Sequence, residues 1–242
     1  MKNFFGIIGG MGTKATETFI KAINDLTPAH SDQEYLNYLV INDAQVPDRT
    51  AYILGKSTDN PLPTLLDDVT KLNACGADFA VITCNTAHYF LPQLEQAANF
   101  PILNMPQLAA QQCFNMENKQ PRVGLLATNG TIEAHIYQQY IESLGGEVVL
   151  LEPAWQKMTM QFIYDDVKDN DFVDSTKYHT LINRLLIDAH CDYVILGCTE
   201  LSVAQAREPY PSEFVIDAQA VLAQTAVTRA LANRHSTQPL HN

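Results

Sequence analysis

Cys84 and Cys198 each end an apolar run and are each followed by polar side chains, in Val81-Ile82-Thr83-Cys84-Asn85-Thr86 and Ile195-Leu196-Gly197-Cys198-Thr199-Glu200. A free thiol has a pKa of about 8.5, close enough to working pH to give or take a proton. Two thiols approaching one carbon from opposite faces form an acid/base pair: one removes the hydrogen, and the other returns one on the far side. The product is the mirror image, and the pair ends with its protonation states exchanged. Bringing a thiol down to a pKa of about 7 takes roughly 2 kcal/mol, which a helix N-terminus and nearby donors supply. The harder task is acidifying the carbon-bound hydrogen, and it falls to hydrogen bonds and charges at the substrate's carboxylate. The turns after both cysteines offer backbone N–H groups and hydroxyls to hold that carboxylate. Cys75, Cys113 and Cys191 lie on helical patterns or beside a helix end, and they read as small hydrophobes.

The elements that must position the two thiols are written twice. GIIGGMGT at 6–13 aligns with GLLATNGT at 124–131, DFAVITC at 78–84 with DYVILGC at 192–198, and PILN at 101–104 with FVID at 214–217. Three pairs in one order, at nearly one offset, describe two homologous halves with Cys84 and Cys198 in equivalent places. His88 falls roughly opposite Leu201, so it breaks the symmetry. Short apolar runs predict strands at 4–8, 38–42, 79–83, 102–104, 122–127, 148–151, 193–196 and 214–216. Helical patterns lie between them, for example at 16–26, 62–75, 132–144, 178–189 and 218–232. This alternation is that of a parallel α/β fold. We expect two pseudo-symmetric lobes, each a parallel sheet flanked by helices, with residues 1–98 plus 212–242 in lobe 1 and 99–211 in lobe 2. Ligands bind beyond the carboxyl ends of parallel strands, which places both cysteines at one interlobe cleft.

At 242 residues and 46% hydrophobic, the chain suffices for a sizeable core. A net charge of −12 argues against nucleic acid or an anionic membrane as partner, and an anionic substrate must be held by local cations. The opening MKNFFGIIGG is too short and too quickly broken by glycine for a signal peptide, and no apolar stretch reaches membrane-span length. The expected location is the cytoplasm, with reduced cysteines. No zinc-type Cys/His spacing, dinucleotide fingerprint or P-loop occurs. Ser236 to Asn242 reads as a polar tail.

Five segments together resemble the aspartate/glutamate racemase family, and within it the aspartate racemase branch. They are Gly9-Gly10-Met11-Gly12, Pro47-Asp48-Arg49-Thr50, Thr83-Cys84-Asn85-Thr86-Ala87-His88, Ala127-Thr128-Asn129-Gly130-Thr131 and Gly197-Cys198-Thr199-Glu200-Leu201, in family order across almost the whole chain. In the glutamate branch the first motif contains an aspartate and the second cysteine precedes Thr-His, unlike here. The resemblance implies a racemase that uses neither pyridoxal phosphate nor metal, with an amino-acid substrate, aspartate first, and often a homodimeric state. It assigns catalysis to Cys84 and Cys198, and it implies that Arg49, by a bidentate fork, and Lys168, as a point charge, clamp the distal carboxylate. Met11 and Gly12 would line the substrate site, with Asn85, Thr86, Thr128 and Thr199 as donors to the α-carboxylate. Glu200 has three candidate roles: tuning Cys198, accepting from the substrate ammonium, or capping a helix. His88 would polarise the Cys84 turn or serve structure alone. Where the family commonly has proline after Gly-Gly-Met-Gly, Thr13 and Lys14 stand here, a departure that bears on specificity. Three alternatives stay open: broad-specificity or glutamate racemisation, cysteine-dependent isomerisation or decarboxylation of small dicarboxylates, and non-catalytic small-molecule binding.

Overall fold

Along Phe4–Gly9 the side chains alternate between two faces, and both faces are buried. Phe5 and Ile7 join Phe79 and Val81 on one side, while Phe4 and Ile8 join Ala80 and Ile82 on the other. A strand apolar on both faces belongs inside a parallel sheet covered by helices. The computed structural model, which describes residues 3–114 and 120–236, has that architecture. Its elements are β1 (Phe4–Gly9), α1 (Thr13–Leu26), β2 (Asn37–Asn42), α2 (Arg49–Ile53), α3 (Leu62–Cys75), β3 (Ala80–Ile82), α4 (Leu91–Ala97) and α5 (Met105–Gln112), then β4 (Arg122–Ala127), α6 (Asn129–Glu133), α7 (Gln138–Ser143) and β5 (Glu147–Val149). They continue with α8 (Pro153–Gln161), α9 (Ser175–Asn183), β6 (Tyr193–Gly197), α10 (Thr199–Arg207), β7 (Val215–Asp217) and α11 (Ala218–Ser236). A 3-10 helix occupies Thr86–Phe90, and π-helical segments occupy Phe162–Asp169 and Arg184–Asp188.

Two parallel sheets result, ordered β2-β1-β3 and β5-β4-β6-β7. A single bridge from Ile102 to Ala80 stands in the first sheet where β7 stands in the second. The repeat is therefore a repeat of structure. A Cβ at Gly6 would run into Leu72 and one at Gly124 into Leu185, each leucine from a helical segment packed on its sheet. Asn104 and Asp217 match as well: Asn104 caps α5 by accepting from the Gln107 N–H at 3.0 Å, and Asp217 caps α11 by accepting from the Gln219 N–H at 2.9 Å. The inner faces of both sheets and the apolar sides of α1, α5 and α11 form one shared core, with separate cores under the outer helices. Each fully buried Phe or Leu there contributes roughly 1.5–3 kcal/mol, so the lobes are joined by packing as well as by polar ties.

Three expectations need correction. Strand pairing divides the chain differently from the expected lobes, because β7, within 212–242, hydrogen-bonds to β6 while Ile102 bridges to the first sheet. The helix predicted over 132–144 is broken: His135 takes a left-handed conformation (φ 51) between α6 and α7, which re-aims Tyr137 into the core. The pattern at 178–189 ends as a π-helical turn rather than an unbroken α-helix. Beyond Ser236, the expected polar tail lies outside the described residues, among which no helix is long and apolar enough to cross a membrane.

Candidate active site

Both cysteines stand where a strand gives way to a helix, and both are 6% exposed. They line one inner chamber, of about 20 Å³, together with Met11, Arg49, Asn85, Thr86, Thr128, Lys168, Thr199 and Glu200. All of the expected site residues except Gly12 are in that set. Gly12 lines the adjoining vestibule of about 390 Å³, which shares Met11, Asp48, Arg49, Lys168 and Glu200 with the chamber. A chamber of that size holds about one water molecule, so the vestibule supplies the room.

The first loop explains how an arginine and a carboxylate come to flank the sulfurs. Gly10 turns the chain at φ 86 with its Cα against the Asp43 backbone, where a Cβ has no space. Met11 then points its carbonyl at Arg49, which donates to it from Nη2 at 3.0 Å. Arg49 Nη1 donates to the carbonyls of Val46 (3.1 Å) and Pro47 (2.9 Å). The fork is thus spent on main chain, which departs from its expected bidentate grip on a distal carboxylate. What remains is the charge and a buried, unpartnered Nε. Burial disfavours that charge, but the neighbouring Cys84 and Asp48 outweigh it, and the net effect raises the guanidinium pKa.

Cys198 has the opposite neighbour. Its thiol donates to Glu200 Oε2 at 2.9 Å, and Thr199 Oγ1 donates to the same oxygen at 3.3 Å. Burial first, and then the Glu200 charge and hydrogen bond, push the Cys198 pKa well above the ordinary thiol value. Gly12 makes room for this carboxylate, since a Cβ there would sit 2.8 Å from Glu200 Oε1.

Amide and hydroxyl groups line the same chamber as the two sulfurs. Tyr137 donates to Asn85 Oδ1 and so fixes the amide, leaving Asn85 Nδ2 buried without a partner. Thr86, Thr128, Thr131 and Thr50 form a buried hydroxyl cluster joining the halves, with contacts of 2.8 Å for Thr86 to Thr131 and 3.1 Å for Thr50 to Thr128. Thr128 also caps α6, its hydroxyl accepting from the Thr131 N–H at 3.2 Å. Lys168 rises from the π-helical segment to 3.9 Å from Asp48 Oδ2 and lies over the Tyr164 ring. Tyr164 OH donates to the same Asp48 oxygen at 3.3 Å. His88 does not reach a sulfur: Nδ1 donates to the Cys84 carbonyl at 2.9 Å and Nε2 accepts from the Met105 N–H at 3.2 Å. Burial lowers its pKa to about 4, which keeps it neutral.

Asp48, Thr50, Thr131, Tyr137 and Tyr164 were not singled out from sequence. Asp48, Thr50 and Thr131 lie within the segments that carry the family resemblance, and Asp48 caps α2 by accepting from the Ala51 N–H at 2.6 Å. Among the described residues, no group of three or more His, Cys, Asp or Glu side chains is placed to hold a metal ion.

The chain and its fold have counterparts among known proteins. A broad-specificity amino-acid racemase of Bacillus subtilis is 29% identical over 236 residues, covering 94% of this chain and 98% of its own. A glutamate racemase of Staphylococcus haemolyticus is 30% identical over 168 residues, 64% of this chain and 61% of its own. The solved structure of the Picrophilus torridus aspartate racemase superposes with a TM-score of 0.77 at 29% identity, covering 94% of each chain. A model of the Asp/Glu/hydantoin racemase family matches residues 8–226, and with it the chain is a member of that family and an amino-acid racemase.

Proposed function

We propose that the protein interconverts the enantiomers of aspartate by two-base proton transfer between Cys84 and Cys198. The observation that carries this reading is that both sulfurs line one chamber, each arriving from a different sheet. In the resting enzyme Cys198, its proton shared with Glu200, is the acid. Cys84, which shares the chamber wall with Arg49, is assigned as the base, since a nearby cation is the partner a thiolate needs. Cys84 takes the α-hydrogen as a proton, the electron pair stays on the substrate carbon and its carboxylate, and Cys198 returns a proton on the opposite face. Asn85 Nδ2, free and buried, is the donor best placed for the α-carboxylate, and its hydrogen bond strengthens as charge develops there. Lys168, only loosely paired, is left to meet the distal carboxylate. The chamber must widen to admit substrate. The segment Phe162–Asp169 meets the first half at Asp48, through the Tyr164 hydrogen bond.

Aspartate is supported by the resemblance to the aspartate branch and by the Picrophilus torridus relative. A second reading, broad specificity, is favoured by the apolar share of the vestibule wall, Ala15, Val46, Val167 and Val203. A reducing cytoplasm suits five free cysteines, and the family resemblance supports a homodimer. The test is incubation with aspartate in deuterated solvent without added cofactor: deuterium is expected at the α-position together with inversion. Cys84→Ala and Cys198→Ala are each expected to abolish racemisation, and a double variant that racemises at the wild-type rate defeats the mechanism.

A further inference from the structure

On the vestibule wall Lys14, from the first turn of α1, faces Asp171, just beyond the π-helical segment, at 2.6 Å. Asp171 does not depend on that partner. Arg207, at the end of α10, holds its other carboxylate oxygen at 2.7 Å and its backbone carbonyl at 3.1 Å. Hydrogen bonds from Lys14 and then Arg207 keep the Asp171 pKa below the usual carboxylate value. The Lys14 side chain is 53% exposed, and an exposed ion pair of this kind adds little stability. Lys14 is therefore able to exchange one carboxylate for another at small cost while Arg207 keeps Asp171 in place.

The other cations of the site are less free. Both terminal nitrogens of Arg49 are committed to carbonyls, and Lys168 lies on the boundary of the two cavities. Lys14 lines the outer cavity alone. Lys168 lines both cavities and Lys14 only the outer one, so a side chain extending from the chamber into the vestibule meets Lys168 before Lys14. We propose that Lys14 is a specificity-determining residue, whose ammonium leaves Asp171 for the distal carboxylate of an acidic amino acid and counts for more with glutamate than with aspartate. This rests on the racemase reading above and adds a second, outer reader of the acidic side chain.

Steady-state kinetics of the full-length Lys14→Met and Asp171→Asn proteins test it, with aspartate and glutamate as substrates and asparagine and glutamine as substrates or competitive inhibitors. Lys14→Met is expected to raise KM for glutamate about tenfold and for aspartate less, with kcat nearly unchanged and the amides unaffected. Asp171→Asn releases Lys14 and is expected to hold or lower KM for both acids. The proposal is overturned if Lys14→Met shifts amides and acids alike, or if it leaves the acids unchanged. It is overturned too if Asp171→Asn reproduces the Lys14→Met defect, since the pair is then a structural tie. Solvent deuterium exchange in the same wild-type samples separates the two claims: no α-exchange with any amino acid defeats the racemase reading, whereas exchange with an unaltered acidic KM in Lys14→Met defeats only the role of Lys14.

Discussion

At the end of β3 the chain turns through Cys84 into a 3-10 helix, whereas at the end of β6 it passes through Cys198 directly into α10. The two cysteine residues are equally buried. Their charged neighbours differ. Arg49 is near Cys84, and Glu200 accepts a hydrogen bond from the Cys198 thiol. A duplicated backbone thus carries an unduplicated charge pattern, with cation on one side and anion on the other. On the proposed mechanism, symmetry of the fold supplies the two faces of approach, and the unequal charges distinguish the two thiols.

The sharpest way to break this contrast is to remove the cation. Arg49→Met takes away the charge beside Cys84 together with three donors to loop carbonyls. A loss of about hundredfold or more in kcat/KM is expected, the scale of losing one preorganised electrostatic partner. Arg49→Lys, which restores charge without the fork, is expected to recover part of it. Thermal melts of both variants separate loop collapse from lost chemistry, and an Arg49→Met protein with full kcat would leave the cation without a catalytic part.

A smaller effect is expected at the anion. Glu200 raises the Cys198 pKa by charge and by hydrogen bonding, so Glu200→Gln lowers it. The pH midpoint for iodoacetamide labelling of Cys198 is expected to fall. The alkaline limb of the rate profile should move the same way. An unmoved midpoint would assign the elevation to burial alone and dissolve the contrast with Cys84.

How much of this was legible in the sequence depends on the physics of each element. The halves were, because glycines facing Leu72 and Leu185 and cysteines at strand ends recur in order. The sheets were, because buried parallel strands are continuous apolar runs. α2, with five residues, is too short for a period, and a hydrophobic pattern does not separate α- from π-helical turns, so the placement of Tyr164 and Lys168 on Phe162–Asp169 could not be read. The spent fork of Arg49 was equally hidden, since its acceptors are main-chain carbonyls and leave no mark on side-chain identity. His88 was set against Leu201, yet four residues past each cysteine stand His88 and Ser202. Ser202 is the counterpart in role: its hydroxyl donates at 2.6 Å to Asp217, the cap of α11, as His88 ties the Cys84 turn to the start of α5.

That pair gives the smallest expected effect on turnover and a distinct one on stability. His88 is held neutral with a pKa of about 4 against 6.5 in its ordinary state. Between those values the unfolded chain binds a proton that the folded chain refuses. The stability that His88 confers is therefore complete above about pH 6.5 and lost as pH falls toward 4, by up to about 3 kcal/mol. Ser202 does not titrate, so the second half carries no such dependence at the matching position. His88→Asn keeps a donor for the Cys84 carbonyl, and its activity at neutral pH is expected to stay within about twofold of wild type. Urea unfolding from pH 7 to 4 should show a shallower loss of stability in the variant than in the wild type, with the carboxylates common to both proteins cancelling in the difference. Parallel pH slopes would mean that the histidine charges without penalty, and the tie between the Cys84 turn and α5 would then have to be looser than its two hydrogen bonds indicate.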